Sequence, residues 1–227
     1  MIKTITHLSR FIRHEDTYER HFFVGHLLKP FLPQRILDFG GEGHLATFAS
    51  ANILIDIANI NGQGTVAYAD WQIKVADKSY DVVVSIDTFE HISNHYRPIL
   101  VNELCRIARK AVVIAVPYGS AEHTEYEQSL LKLLPSDVDP IFASYLREHV
   151  TYGLPTKEEL QQYASTAKST QFYYAGYFDT EYYSKRGWKR WLYLGKRLRR
   201  NLRLSVRDLK SMPFPKCNRI YCVAEIG

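Results

Sequence analysis

Four times between Arg35 and Ile92 an apolar, β-branched run ends in a carboxylate: RILD at Asp38, ILID at Asp56, VAYAD at Asp70 and YDVVVSID at Asp87. Short apolar runs bounded by turn residues read as the buried strands of a parallel sheet. In an open parallel sheet the ends of such runs lie at the carboxyl edge, where ligands bind. Four acids on one rim repel one another and any phosphate, so the pattern calls for a ligand that brings hydrogen-bond donors and positive charge.

The first run leads into Asp38-Phe39-Gly40-Gly41-Glu42-Gly43. Glycines at such a turn let backbone approach a ligand, and a helix from Gly43 to about Ala51 is expected to supply free N–H groups. A nicotinamide-binding Rossmann unit, and with it an NAD(P)-dependent oxidoreductase, is one reading, because Asp56 lies eighteen residues past Asp38, near the separation at which an acid holds a ribose. Asp38 ahead of the glycines would then face a pyrophosphate, and the G-x-G-x-x-G pattern is incomplete. S-adenosylmethionine suits the acids better, since it carries an ammonium, a sulfonium, a ribose diol and an adenine amino group. On that reading Asp38 faces the ammonium, with Gly40, Gly41 and Gly43 shaping the turn. Asp56 accepts from both ribose hydroxyls, Asp70 and Trp71 address the adenine, and Asp87 lies near the methionine moiety. Each has a plainer alternative as a strand cap, a core tryptophan or a helix N-cap.

ILDFGGEGHLA resembles the first motif of class I S-adenosylmethionine-dependent methyltransferases. YADWQIKVADKSYDVVVSIDTFEHI resembles their stretch from third to fourth strand, and NELCRIARKAVVIAVP their fourth helix and fifth strand. The likeness runs from Arg35 to Pro117. It implies an α/β fold, a Rossmann-like, seven-stranded, mostly parallel sheet with a terminal antiparallel hairpin, and transfer of a methyl group from S-adenosylmethionine. The usual acid-x-G-x-G-x-G is compressed here, with Glu42 near where a glycine is expected. A non-catalytic binding module with a degenerate cofactor site is therefore the alternative from another class.

Glu90 and His91, in DTFEHI, put an acid and an imidazole just past the strand that ends near Asp87, where a methyl group would be presented. Histidine takes a proton from a hydroxyl near neutral pH, and in some small-molecule members of the family the corresponding pair is assigned to catalysis. The pair's occurrence across members with different substrates also suits a structural role. His123, flanked by Glu122 and Glu125, and the Glu148-His149 pair are reserve candidates.

The rest of the chain frames this region. With 227 residues, 46% apolar and 23% charged, it can bury one core as a single domain, 1–227. Residues 1–33 read as a helical cap over the pocket, and 118–155 as a helical insertion over the active-site edge. The span 180–217 reads as a basic insertion between the last two strands. His7, His14 and His21 recur every seven residues, about 10 Å apart along a helix, too far to share a metal ion. Cys105, Cys217 and Cys222 show no ligand spacing, so neither a metal nor a disulfide framework is expected, and a reducing, cytoplasmic setting follows.

A run of third-strand residues, Val66 to Ala69, follows Asn59-Ile60-Asn61-Gly62-Gln63-Gly64, which is too short for a full crossover helix. From Glu181 to Lys210 eleven Lys and Arg stand against two acids, so the net charge of +5 belongs to that segment. Over residues 185–210 Trp188, Trp191, Leu192, Leu198, Leu202, Val206 and Leu209 form one helical stripe opposite Lys189, Arg190, Lys196, Arg197, Arg200 and Arg207. Such a helix suits peripheral contact with an anionic membrane or docking on the sheet; no recognised nucleic-acid motif accompanies it. A sugar hydroxyl, a lipid-linked glycan or another small molecule is the expected acceptor, from the likeness to bacterial polysaccharide-cluster methyltransferases.

Overall fold

A computed structural model of the chain describes residues 15–50, 52–134, 138–178 and 199–227. Helix α1 (Glu15–Leu27) leads to strand β1 (Arg35–Phe39), then β2 (Leu54–Ala58), and a small hairpin of β3 (Tyr68–Ala69) and β4 (Gln72–Ile73). Strand β5 (Tyr80–Ile86), helix α2 (Arg97–Ile107) and strand β6 (Ala108–Pro117) follow. Three helices come next: α3 (Ala121–Lys132), α4 (Pro140–Tyr152) and α5 (Lys157–Tyr163). Strands β7 (Ser169–Ala175) and β8 (Arg219–Glu225) end the chain.

Among the described residues the main sheet has six strands in the order β2-β1-β5-β6-β8-β7. The first four run parallel, while β8 is antiparallel to both β6 and β7. Every residue of β5 is buried, as expected of a central strand covered on both faces. Alternate side chains feed two cores. Leu37, Phe39, Val83, Val112 and Ile114 meet Leu100, Leu104 and Ile107 of α2 on one face. Ile36, Val82, Val84, Val113 and Ala115 meet Phe23, Val24 and Leu27 of α1 on the other.

Three expectations are corrected. The sheet has six strands rather than seven, because the third run forms only the β3–β4 hairpin, a separate two-stranded sheet. A parallel strand needs a crossover of a dozen or more residues, and the link from β2 to β3 is shorter. The helix expected from Gly43 is a single 3-10 turn, His44–Thr47, after Gly43 in the left-handed region at φ 78°. Of the segment 1–33, residues 1–14 lie outside the described residues, while α1 packs on a sheet face through Phe23, Val24 and Leu27 and reaches Asp87 and Arg219 through Arg20 and Asp16. Finally, the expected helix over 185–210 does not continue to Lys210: residues 199–203 are helical, and then Ser205 caps a 3-10 turn, Val206–Asp208. Its stripe divides there, with Leu202 61% exposed and Leu209 packed on the core. Trp188, Trp191, Leu192 and Leu198 lie outside the described residues, as do His7 and His14.

Thr156 and Glu159 form a capping box at the start of α5, satisfying two backbone donors reciprocally. No helix of the described residues is long and apolar enough to cross a membrane.

Candidate active site at the carboxyl edge of the sheet

Asp38 lies in β1 immediately before the glycine turn and is 1% exposed. Neither of its carboxylate oxygens has a hydrogen-bond partner, and burial pushes its pKa up to about 7. A side chain at Gly41 would overlap the Asp38 carboxyl, and one at Gly40, which has φ 82°, would overlap Thr88. The Gly40 amide donates to the Ala58 carbonyl at 2.8 Å, which ties the turn to the end of β2. An orphaned buried acid beside a cradle that no side chain can share fits a cationic, donor-rich ligand. The brief 3-10 turn after Gly43 offers no helix N-terminus of the kind a pyrophosphate uses.

The other three strand-end acids depart from a free acidic rim. Asp56 lies two residues short of the end of β2, and its Oδ2 accepts from Arg35 Nη2 at 2.9 Å and from the Tyr80 hydroxyl at 3.0 Å. Arg35 and Tyr80 open β1 and β5, so this carboxylate turns away from the carboxyl edge. Burial opposes its charge, but the bonds from Arg35 and Tyr80 outweigh it and lower the pKa. Asp70 is exposed and, with Trp71, forms the two-residue connection of the β3–β4 hairpin, at φ 52° and 60°. Trp71 stacks on Tyr96 with ring centroids 4.3 Å apart. The hairpin reaches the rim through Tyr68, whose ring is 5.2 Å from that of Phe39. Asp87 pairs with both Arg20 and Arg219, and Arg219 also reaches Asp16 at 3.1 Å. Two arginines thus neutralise a position expected to face a ligand's cation.

Past Asp87 the chain makes a 3-10 turn, Phe89–His91, and its two titratable side chains meet α4. His91 Nδ1 lies 2.7 Å from Glu148 Oε2, and its ring is 4.8 Å from Tyr145 and 4.9 Å from His149. His149 Nδ1 lies 3.2 Å from each oxygen of Glu127. Glu90 is 1% exposed, and neither its Oε2 nor His149 Nε2 has a hydrogen-bond partner. Burial, reinforced by Asp87, raises the Glu90 pKa to about 8. Burial and the neighbouring His149 lower that of His91, while for His149 the Glu127 carboxylate outweighs burial and raises it.

Fully buried Arg97 holds this arrangement together. Its Nε donates to the carbonyls of Phe89 and Ile92, both at 2.9 Å. Its Nη2 donates to the carbonyls of Tyr152 and Gly153 at the end of α4, where a cation also suits the helix dipole. One guanidinium therefore fixes the Glu90-His91 turn against the helix that carries Glu148 and His149. Of the reserve candidates, Glu148-His149 joins the site. His123 is instead buried between the Tyr118 carbonyl and the Phe178 ring, though 3.6 Å from Glu127. Arg97, Arg219 and Glu127 are absent from the sequence reading. An arginine opening an apolar strand and another opening a helix with Pro98 were the available signals.

No family model matches the sequence, and no curated protein matches it. Solved structures do share its fold. The YcgJ protein of Bacillus subtilis is 15% identical at a TM-score of 0.53, over 91% of this chain and 98% of that one. An S-adenosylmethionine-dependent methyltransferase from Thermotoga maritima is 12% identical at 0.52, over 93% of this chain and 91% of that one. Magnesium protoporphyrin IX methyltransferase from Synechocystis, with bound S-adenosylhomocysteine, is 12% identical at 0.50, over 90% and 80%. At these identities the likeness is one of fold: the chain has the class I methyltransferase fold, with a six-stranded sheet among the described residues.

Proposed function

We propose that the chain transfers a methyl group from S-adenosylmethionine to an oxygen nucleophile, a hydroxyl of a sugar, glycan or comparable small molecule. The observation that carries this reading is the placement of Glu90 and His91 directly beyond β5, against His149 and Glu148 of α4, on the edge where parallel sheets bind ligands. Asp38 and the Gly40-Gly41 turn would hold the donor's cationic amino-acid end, and Trp71 with Tyr96 would flank its adenine. Asp56, tied to Arg35 and Tyr80, is left out of this assignment. The donor supplies an electrophilic methyl group on a sulfonium.

The chain's own residues have two tasks: to position the acceptor and to deal with its proton. Tyr145 is 51% exposed beside His91 and presents an apolar ring face to a sugar, while the Glu148 carboxylate accepts from hydroxyls. The Glu90-His91-His149 cluster disposes of the proton that the hydroxyl loses as the methyl group arrives. Removing a group with that task typically costs a factor of 10² to 10⁴.

The test is transfer of a labelled methyl group to a panel of mono- and oligosaccharides. His91→Ala is expected to lose at least about a hundredfold in turnover while keeping its affinity for S-adenosylhomocysteine. Turnover within about threefold of wild type, far below the usual general-base contribution, would make His91 a scaffold residue.

A further inference from the structure

We infer that Glu90, His91 and His149 form a binding site for one divalent transition-metal cation. Each of the three offers a ligand atom, and these atoms all lie within 4.8 Å of one another. Two ligands about 2.1 Å from one ion stand roughly 3.4 Å apart in a tetrahedral site, so closure on an ion requires the turn after β5 and α4 to draw together by little more than an ångström.

Three further features point to an ion rather than to a solvated polar cluster. The Glu90 carboxyl is 1% exposed with a partnerless Oε2, a costly state for a carboxylate unless something completes it. Both imidazoles have a carboxylate at Nδ1, Glu148 for His91 and Glu127 for His149, which fixes each ring and directs Nε2 elsewhere. Metal-bound histidines are oriented in this way, the outer carboxylate making the inner nitrogen a better ligand. Lastly, His149 Nε2 is itself buried and partnerless. Two imidazoles and one carboxylate suit zinc, iron, cobalt or manganese and leave at least one coordination position open.

Such an ion would do the acceptor's proton chemistry differently from a free imidazole. A hydroxyl bound at the open position would become more acidic and release its proton to solvent, with His91 acting as a ligand. This catalytic role rests on the methyl-transfer reading; ion binding itself does not.

The experiment uses the full chain, stripped with a chelator and titrated with Zn²⁺ and Co²⁺. Equilibrium dialysis measures stoichiometry, and the visible absorption of Co²⁺ reports its ligands. Wild type is expected to take up one equivalent with nitrogen-ligated Co²⁺ bands. His149→Ala and Glu90→Gln should each bind at least tenfold more weakly, and Glu127→Gln, which keeps all three ligands, about 10- to 100-fold more weakly. Absence of one-to-one binding by wild type, or equal binding by these variants, overturns the inference. Should His149→Ala fail to fold by circular dichroism, Glu90→Gln and the wild-type Co²⁺ spectrum decide. S-adenosylhomocysteine is titrated into the same samples. Its binding without metal uptake would end only the metal site, and metal uptake without its binding would end only the methyl-transfer reading.

Discussion

A carboxyl group buried at Asp38 with no donor on either oxygen resists ionising, so the folded chain holds a proton that the unfolded chain gives up near pH 4. Between there and about pH 7 the native state binds more protons than the unfolded one, and stability falls as pH rises through that window. The cost, fully developed above the folded pKa, is at most about 4 kcal/mol. Asp38→Asn is therefore expected to be more stable than wild type in denaturant titrations at pH 8 and no more stable at pH 4, with part of the pH dependence left to Glu90. The same change should weaken S-adenosylhomocysteine ten- to a hundredfold, since hydrogen bonds to charged groups contribute about 1.5–3 kcal/mol. A variant that is stabilised with unchanged affinity would leave Asp38 a purely structural acid. At this scale the sequence revealed what is local in it. Asp38 with its glycines, and Glu90 with His91, are neighbours along the chain and could be read together. Glu148 meets His91 from fifty-seven residues away, and the arginines that neutralise Asp87 come from both ends of the described chain. No spacing in the sequence encodes those meetings.

Elements were legible where periodicity was strong. The run RILD that ends at Asp38 lies in a buried strand as read, because a buried parallel strand is set by its own apolar residues. The third strand was not legible as a hairpin, since Val66 to Ala69 has strand composition and only the short link before it rules out joining the sheet. That hairpin turns through Asp70 and Trp71 with positive φ at both, a two-residue connection that normally takes Asn-Gly. Holding a tryptophan there costs roughly 1–2 kcal/mol, partly offset by about 0.5–1.5 kcal/mol from the stack on Tyr96. Replacing Asp70-Trp71 with Asn-Gly should thus shift stability by no more than about 1.5 kcal/mol, the largest difference of those two effects. Affinity for S-adenosylhomocysteine should fall about tenfold if Trp71 packs on adenine, a loss of about 1.4 kcal/mol. Unchanged affinity in calorimetry would reduce Trp71 to a partner of Tyr96.

Across the whole molecule the two ends of the sheet are built differently. At the amino end Asp81 accepts from the amides of Gln34 and Arg35 at 2.8 and 3.1 Å and pairs with Arg109 at 3.2 Å. That end is closed and structural. At the carboxyl end Asp38, Glu90 and His149 are left with buried atoms that have no partner, the last two where Arg97 ties the turn after β5 to the end of α4. Folding tolerates such groups where a ligand completes them, and these three lie on the edge where parallel sheets bind ligands. Isothermal titration of the full chain with S-adenosylhomocysteine, with NADH as the control, tests this most directly. The expected result is saturable one-to-one binding of S-adenosylhomocysteine, abolished by Gly41→Val, whose side chain would occupy the space of the Asp38 carboxyl, with no binding of NADH. Tight binding of NADH and none of S-adenosylhomocysteine would contradict it.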